Sequence, residues 1–168
     1  MHCYTLRTEQ FVPAPLERVF TFFSRPENLE QITPGHLHFS ILTPSPIPMR
    51  VGTLIDYRIR IRGVPQRWRT LISYYDPPHR FVDEQLRGPY AKWVHRHEFA
   101  RAAGGTRIVD EVVYALPFGI LGRVIHWAFV RHELEAIFEF RRAYITRLFG
   151  AEHGHSPASM LSVIDPWT

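Results

Sequence analysis

The residues best suited to chemistry surround the segment Trp93-Val94-His95-Arg96-His97. Successive side chains of a β-strand point to opposite faces, so Trp93, His95 and His97 share one face and charged residues dominate the other. We therefore expect both histidines to point into the protein. Imidazoles in that position can transfer protons, bind a polar group of a ligand or coordinate a metal.

Carboxylates occur in the segments on both sides of this strand. Asp83 shares an alternating face with Phe81 and Gln85, and Asp110 shares one with Tyr114. If the three segments are adjacent antiparallel strands, two carboxylates, two imidazoles, an amide and a phenol line one side of a sheet. A His–Asp pair there could act as a general acid and base. The candidate catalytic residues are His95, His97, Asp83 and Asp110.

Three interpretations of this polar group are open. It could be a buried hydrogen-bonded network with a structural role, or the polar end of an otherwise apolar ligand pocket. It could also be a metal site, because His95-Arg96-His97 places two imidazoles on one face. The same spacing recurs at His36-Leu37-His38 and His153-Gly154-His155 in a chain with ten histidines, which favours chance. We therefore expect no metal and no cofactor.

A long helix is predicted from Pro117 to Phe149, and it would face such a pocket from the other side. Its apolar side is broader than a seam between two helices needs, which favours a helix clasped by a curved sheet. His126, Glu133 and Arg141 interrupt that apolar side. Because a buried charge is costly unless it is paired, these groups must reach the rim of the domain or project into a cavity.

The rest of the pattern predicts one α+β domain over residues 1–149, followed by a flexible tail over 150–168. We expect a first strand over 2–12, two short helices at Leu16–Phe23 and Pro26–Ile32, and a second strand at His36–Thr43. Ser24 and Glu27 predict a capping box for the second short helix. Five more strands follow between residues 54 and 116, at about ten-residue spacing, which is typical of an antiparallel meander.

Several motifs resemble a known family. They include Pro13-Ala14-Pro15, Pro26-Glu27-Asn28-Leu29, Gly88-Pro89-Tyr90, Trp93 with His95 and His97, and Leu116-Pro117-Phe118-Gly119. Over about residues 3–149 the chain resembles the SRPBCC (START-like, helix-grip) superfamily, and within it the bacterial cyclase/dehydrase-like ligand-binding proteins. The resemblance implies a curved antiparallel seven-stranded sheet wrapped around a long C-terminal helix. It also implies binding of a small, largely hydrophobic molecule, lipid- or polyketide-like, or alternatively a cyclase/dehydratase that uses a His/Asp pair in the same cavity.

The predicted ligand-binding residues combine the polar group with apolar side chains from the sheet and the long helix. They are Trp68, Phe81, Asp83, Gln85, Trp93, His95, His97, Asp110, Tyr114, His126, Phe129, Glu133, Ile137 and Phe140.

Composition limits the partners. In 168 residues, no apolar run is long enough to cross a membrane, and Met1 to Gln10 is polar and alternating, so we expect a cytoplasmic protein. Five arginines between Arg58 and Arg69 concentrate the net charge of +4 on what we expect to be a solvated outer face. They leave open contact with a membrane surface, but Tyr57 and Trp68 alternate to the other face, which disfavours nucleic acid. The pattern does not indicate an oligomeric state.

Overall fold

The computed structural model describes residues 2–150 and 161–164. The elements in chain order are β1 Tyr4–Val12, α1 Leu16–Phe23, β2 Ser40–Ile41, β3 Leu54–Ile61, β4 Val64–Asp76, β5 Arg80–Arg87, β6 Lys92–Ala102, β7 Gly105–Ala115, α2 Gly119–Ile125, α3 Arg131–Gly150 and β8 Leu161–Ile164. Short 3-10 turns at Pro26–Glu30 and Gly35–Leu37 follow α1, and a π-helical turn at His126–Val130 joins α2 to α3.

The strands form one antiparallel sheet in the order β2-β3-β4-β5-β6-β7-β1-β8. The first strand therefore closes against the last strand of the meander, with Tyr4 opposite Tyr114. The curved sheet of seven strands holds the C-terminal helix, which confirms the predicted α+β helix-grip arrangement. Leu161–Ile164 adds a short eighth strand along β1. Residues 151–160 and 165–168 of the predicted tail lie outside the described residues, and its flexibility stays a prediction.

Two apolar clusters hold α3 against the sheet. One joins α1 and the end of α3 to the sheet, and its members include Val19, Phe20, Phe23, Phe99, Ile145 and Phe149. The other lies nearer the start of α3 and consists of Tyr4, Leu6, Val112, Tyr114, Leu134 and Phe138. Full burial of a large apolar side chain contributes about 1.5–3 kcal/mol. Each cluster contains several such side chains, so the two clusters hold both ends of α3 against the sheet.

The predicted second strand at 36–43 is wrong in its first half. Pro34 precedes a 3-10 turn at Gly35–Leu37, and His38 has a left-handed backbone with φ of 43°. A strand cannot contain either feature, so the extended segment is reduced to Ser40–Ile41.

The predicted capping box is also wrong. The segment at Pro26–Glu30 is a 3-10 turn without a side-chain cap. Glu27 instead accepts hydrogen bonds from the Ser45 hydroxyl at 2.8 Å and from the Ile47 backbone N–H at 3.0 Å. Its carboxylate ties the loop before β3 to the segment after α1.

The predicted long helix is present from Gly119 to Gly150, interrupted by the π-helical turn. Before and within that turn, part of its apolar surface faces outward: Ile120 is 78%, Val124 60% and Trp127 54% exposed. Within the described chain, no helix has both the length and the apolar composition to cross a bilayer.

The prediction of a solvated outer face on the arginine-rich hairpin of β3 and β4 is confirmed for Arg58, Arg60 and Arg67, which are exposed. Arg62 is exposed as well, but it has a left-handed φ of 51° and its guanidinium lies over the ring of Phe129 rather than on the outer face. Arg69 is exposed too, and it donates two hydrogen bonds of 2.8 Å to the carboxylate of Asp56.

Candidate functional site

A cavity of about 280 Å³ lies between the inner face of the sheet and α3. The strands contribute Ile55, Trp68 and Ile72, the helix contributes Leu134 and Ile137, and the segment after α1 adds further apolar side chains. The walls are therefore mostly hydrophobic, as in small-molecule sites.

The polar end of the cavity is a cluster of two imidazoles between two carboxylates. Asp83 Oδ2 lies 3.1 Å from His97 Nε2 and 3.6 Å from His95 Nδ1. Asp110 Oδ1 lies 2.6 Å from His97 Nδ1 and 3.4 Å from His95 Nε2. Asp83 lines the cavity with both histidines, whereas Asp110 approaches the imidazoles through their opposite nitrogens. Each imidazole thus bridges an inner and an outer carboxylate.

Strand register brings these four residues together. Asp83 is directly opposite His95 across β5 and β6, and His97 is directly opposite Asp110 across β6 and β7. Side chains of directly opposite residues lie close together on one face of a sheet, and diagonal neighbours remain within reach. The ring centroids of His95 and His97 are 3.8 Å apart, and the ring of Phe81 stacks on His97 at 4.2 Å. The cluster is packed on its sides by aromatic rings.

Burial and mutual charge determine how the cluster ionises. Burial disfavours the charge of Asp110, but the two imidazoles outweigh it and hold the pKa of Asp110 well below its usual range. Burial also disfavours the charge of Asp83, but the pKa of Asp83 is lowered because His97, His95 and Arg141 outweigh the effect of burial. Burial and the neighbouring His97 lower the pKa of His95, whereas Asp110 and Asp83 raise the pKa of His97 despite its burial. The two adjacent imidazoles therefore have pKa values shifted in opposite directions.

The helix side of the cavity carries two charged groups. Glu133 lies at the rim, where its Oε1 is 2.8 Å from His36 Nε2 in the 3-10 turn. Arg141 lines the cavity, and its guanidinium lies over the ring of Phe138 at 5.0 Å. The sequence left open whether these charged groups reach the rim of the domain or project into a cavity. Glu133 reaches the rim, and Arg141 lies in the cavity wall.

Most of the predicted ligand-binding residues line this cavity. Those that do are Trp68, Phe81, Asp83, Trp93, His95, His97, Phe129, Glu133 and Ile137. Asp110 lies behind the imidazoles, as described above.

The remaining predicted site residues have other positions. Gln85 binds the backbone of Tyr90 through both ends of its amide, at 2.7 and 3.3 Å. The Tyr114 hydroxyl lies 2.9 Å from His126 Nε2 in a buried pair, and the His126 ring stacks on Tyr4 at 3.5 Å. Phe140 is 36% exposed, on the side of α3 away from the buried Phe138. The structure therefore places Gln85, Tyr114, His126 and Phe140 outside the cavity wall.

The predicted set lacked many of the cavity residues, among them Arg141, Tyr57 and Arg62. Arg141 falls on the apolar side of the helix in the sequence pattern, and its position beside Leu134 is the signal that could have identified it. Tyr57 alternates onto the inner face of β3, and its hydroxyl lies 3.3 Å from Thr70 Oγ1. Arg62 follows β3 with φ of 51° and places its guanidinium over the ring of Phe129 at 4.2 Å, at the edge of the cavity. A left-handed residue at the end of a strand cannot be read from alternation.

This arrangement has two chemical capacities besides apolar contact. Hydrogen-bonding groups at one end can orient a polar group of a bound molecule. Asp83, His95 and His97 also present three ligating atoms within 4.8 Å of one another, which is a spacing that could hold a metal ion.

Comparison with known proteins agrees with this architecture. TTHA0849 from Thermus thermophilus is 18% identical, with 86% of this chain and 98% of that chain covered at a TM-score of 0.66. CV1439 from Chromobacterium violaceum is 16% identical, with coverage of 86% and 96% and a TM-score of 0.67. Ara h 8.0201 is 17% identical, with coverage of 86% and 99% and a TM-score of 0.59. At these identities the likeness shows the fold alone.

No curated protein matches the sequence. A family model described as polyketide cyclase / dehydrase and lipid transport matches residues 12–137, which include the polar cluster and most of the cavity wall. The chain therefore belongs to the polyketide cyclase/dehydrase and lipid transport family, within the SRPBCC-like group of helix-grip proteins.

Proposed function

We propose that the protein binds a small, largely apolar molecule, lipid- or polyketide-like, in the cavity between the sheet and α3. The observation that carries this proposal is an apolar cavity of about 280 Å³ with one polar end. Pockets of this composition bind small molecules, and the polar groups set the orientation.

The size of the cavity supports an organic ligand over solvent. One water occupies about 30 Å³ in the liquid, so water alone would have to fill the space with several molecules. Most of the wall offers those waters no hydrogen-bond partner. Transfer of apolar surface from water to such a wall contributes about 25 cal/mol per Å². A mainly hydrophobic ligand with one or two oxygen atoms matches both ends of the site.

A fluorescent probe tests the binding proposal. Ile137 lines the cavity, and Ile137→Trp places a larger ring in the space that a ligand needs. We expect this variant to bind the neutral probe N-phenyl-1-naphthylamine at least about tenfold more weakly, a loss of about 1.4 kcal/mol. Phe140→Trp is the matched control, because Phe140 lies on the same helix outside the cavity wall. Equal affinities for wild type and Ile137→Trp, with both proteins folded, would contradict the proposal.

The alternative function is a cyclase/dehydratase-type reaction in the same cavity. It is favoured by the contact of His97 with both Asp83 and Asp110, because a carboxylate can orient an imidazole for proton transfer. Molecules that co-purify with the protein, identified by mass spectrometry, supply the candidate substrates. If His97 is a general base, His97→Gln lowers turnover about 10²–10⁴-fold at nearly constant affinity. If it only binds the ligand, affinity falls about two- to tenfold and no turnover is found.

A further inference from the structure

We propose that Asp83, His95 and His97 form a binding site for a divalent transition-metal ion such as Zn²⁺, at the polar end of the cavity. The three side chains come from two adjacent strands, and their ligating atoms lie within 4.8 Å of one another. This site goes beyond the proposed binding of an apolar molecule and does not depend on it.

The donor set suits such an ion. Two imidazole nitrogens and one carboxylate oxygen are the three protein ligands of many zinc sites that keep a fourth position open. Donor atoms about 2.0–2.2 Å from a tetrahedral zinc lie about 3.3–3.6 Å from one another. The separations from Asp83 Oδ2 to His97 Nε2 and His95 Nδ1 are 3.1 and 3.6 Å. Two of the three donor separations are therefore close to those around a bound zinc, and the third, between the two imidazole nitrogens, is within 4.8 Å.

Asp110 occupies the position of a supporting carboxylate. Metal-binding histidines usually donate their second ring N–H to a carboxylate or a carbonyl, which fixes the orientation of the ring. Asp110 Oδ1 meets the second nitrogen of both rings, at 2.6 Å from His97 Nδ1 and 3.4 Å from His95 Nε2. One carboxylate thus faces the second nitrogen of both imidazoles, although neither contact has the geometry of a formed hydrogen bond. We expect a bound ion to turn the rings into line with Asp110.

Charge also favours a cation at this site. Two carboxylates are buried together, with side-chain exposures of 19% for Asp83 and 8% for Asp110. Buried charges are costly unless they are paired or coordinate a metal. A divalent ion would neutralise both carboxylates while the imidazoles stay neutral, and its open coordination position would face the cavity. A ligand oxygen could occupy that position.

The chain contains a natural comparison for this site. His36 and His38 have the same His-x-His spacing, but both are exposed, and His36 pairs with Glu133. Chance spacing explains that pair. At His95 and His97 the spacing coincides with burial, an inner carboxylate and an outer carboxylate.

Metal binding can be measured with Co²⁺ and Zn²⁺ as probes. The protein is prepared without a purification tag and freed of metal with EDTA, in a background carrying His153→Gln and His155→Gln to remove a competing pair. We expect one Co²⁺ per chain, with visible absorption typical of a low-coordinate site, and displacement by an equivalent of Zn²⁺. Either His97→Gln or Asp83→Asn should weaken binding more than about 100-fold, since each removes a ligand.

Two further variants separate a built site from incidental binding. Asp110→Asn should weaken metal binding about 10–100-fold, because it changes the support of the imidazoles and leaves the ligands in place. The matched control His36→Gln/His38→Gln should leave it unchanged. Circular dichroism checks that each variant is folded. Absence of stoichiometric Co²⁺ binding by the folded His153→Gln/His155→Gln protein would overturn the proposal, as would binding that survives the addition of His97→Gln. Binding of N-phenyl-1-naphthylamine without Co²⁺ binding would refute the metal site alone.

Discussion

The contact between Asp110 and His97 gives a direct test of the polar cluster. Asp110 Oδ1 lies 2.6 Å from His97 Nδ1, and both side chains are less than 10% exposed, at 8% and 6%. Asp110→Asn removes the charge and keeps the shape. The contact is a buried charged contact without hydrogen-bond geometry, because Asp110 Oδ1 and His97 Nδ1 have no hydrogen-bond partner among the described residues. Disrupting a buried charge network costs about 0.5–3 kcal/mol, so we expect the free energy of unfolding of the metal-free protein to fall by about 1–3 kcal/mol. For a domain of this size, each 1 kcal/mol lowers the melting temperature by about 2–4 °C.

Urea denaturation in EDTA measures this loss, with Asp56→Asn as the control. Asp56 binds Arg69 through two hydrogen bonds of 2.8 Å, but the pair is exposed, and exposed ion pairs contribute about 0–1 kcal/mol. A double-mutant cycle with His97→Gln should give a coupling energy of about 1–3 kcal/mol. If Asp110→Asn costs no more than Asp56→Asn, or if the coupling is near zero, the cluster is not an interdependent network and the reasoning fails.

Three other predictions concern the helix, the sheet and the edge of the cavity. In urea titrations, Phe138→Ala should lower the free energy of unfolding by about 3–5 kcal/mol and Phe140→Ala by less than about 1 kcal/mol. Equal losses would contradict the assignment of Phe138 to the inward face of α3 and Phe140 to the outward face. In Gly105→Ala the new Cβ would lie 2.1 Å from a backbone oxygen of β1, so we expect a loss of about 1–3 kcal/mol, and an unchanged urea midpoint would contradict that close approach. Arg62→Ala removes the contact with Phe129 and should speed release of N-phenyl-1-naphthylamine about two- to fivefold in stopped-flow measurements, whereas an unchanged rate would show that this contact does not restrict release.

Alternation was sufficient to predict the inner face of the sheet. Because side chains on a strand repeat with a period of two, His95 and His97 could be assigned to one face without knowing the register. The pairing of Asp83 with His95 and of Asp110 with His97 could not be assigned in this way. Register depends on turn geometry and on contacts between distant residues, so the sequence alone leaves both carboxylates as candidates.

Helical periodicity predicted less of the site. It identified a long helix and the apolar run that contains Leu134 and Ile145, both of which are buried. It placed Phe140 in the site because Phe140 follows Ile137 by about one turn of α3. It placed His126 there because an ideal helix repeats at about 100° per residue over its whole length. The π-helical turn at His126–Val130 changes that phase, and local sequence carries no clear signal for it. The position of Arg141 could be assigned only from the tertiary structure, because the sequence does not distinguish a charged side chain that reaches the rim from one that enters the cavity.

The π-helical turn has a consequence for how this chain can vary in evolution. Such a turn holds one more residue than an α-helical turn, so α2 and α3 are out of phase by about one residue. Deleting a residue at His126–Val130 would restore a regular helix and rotate one of its halves by about 100° relative to the other. Either Leu134 and Phe138 would then leave the sheet, or α2 would turn its outer surface inward. Relatives of this chain should therefore differ in length at this point only when the residues before it have exchanged their buried and exposed positions. An alignment that ignores the turn will pair inward residues of one protein with outward residues of the other.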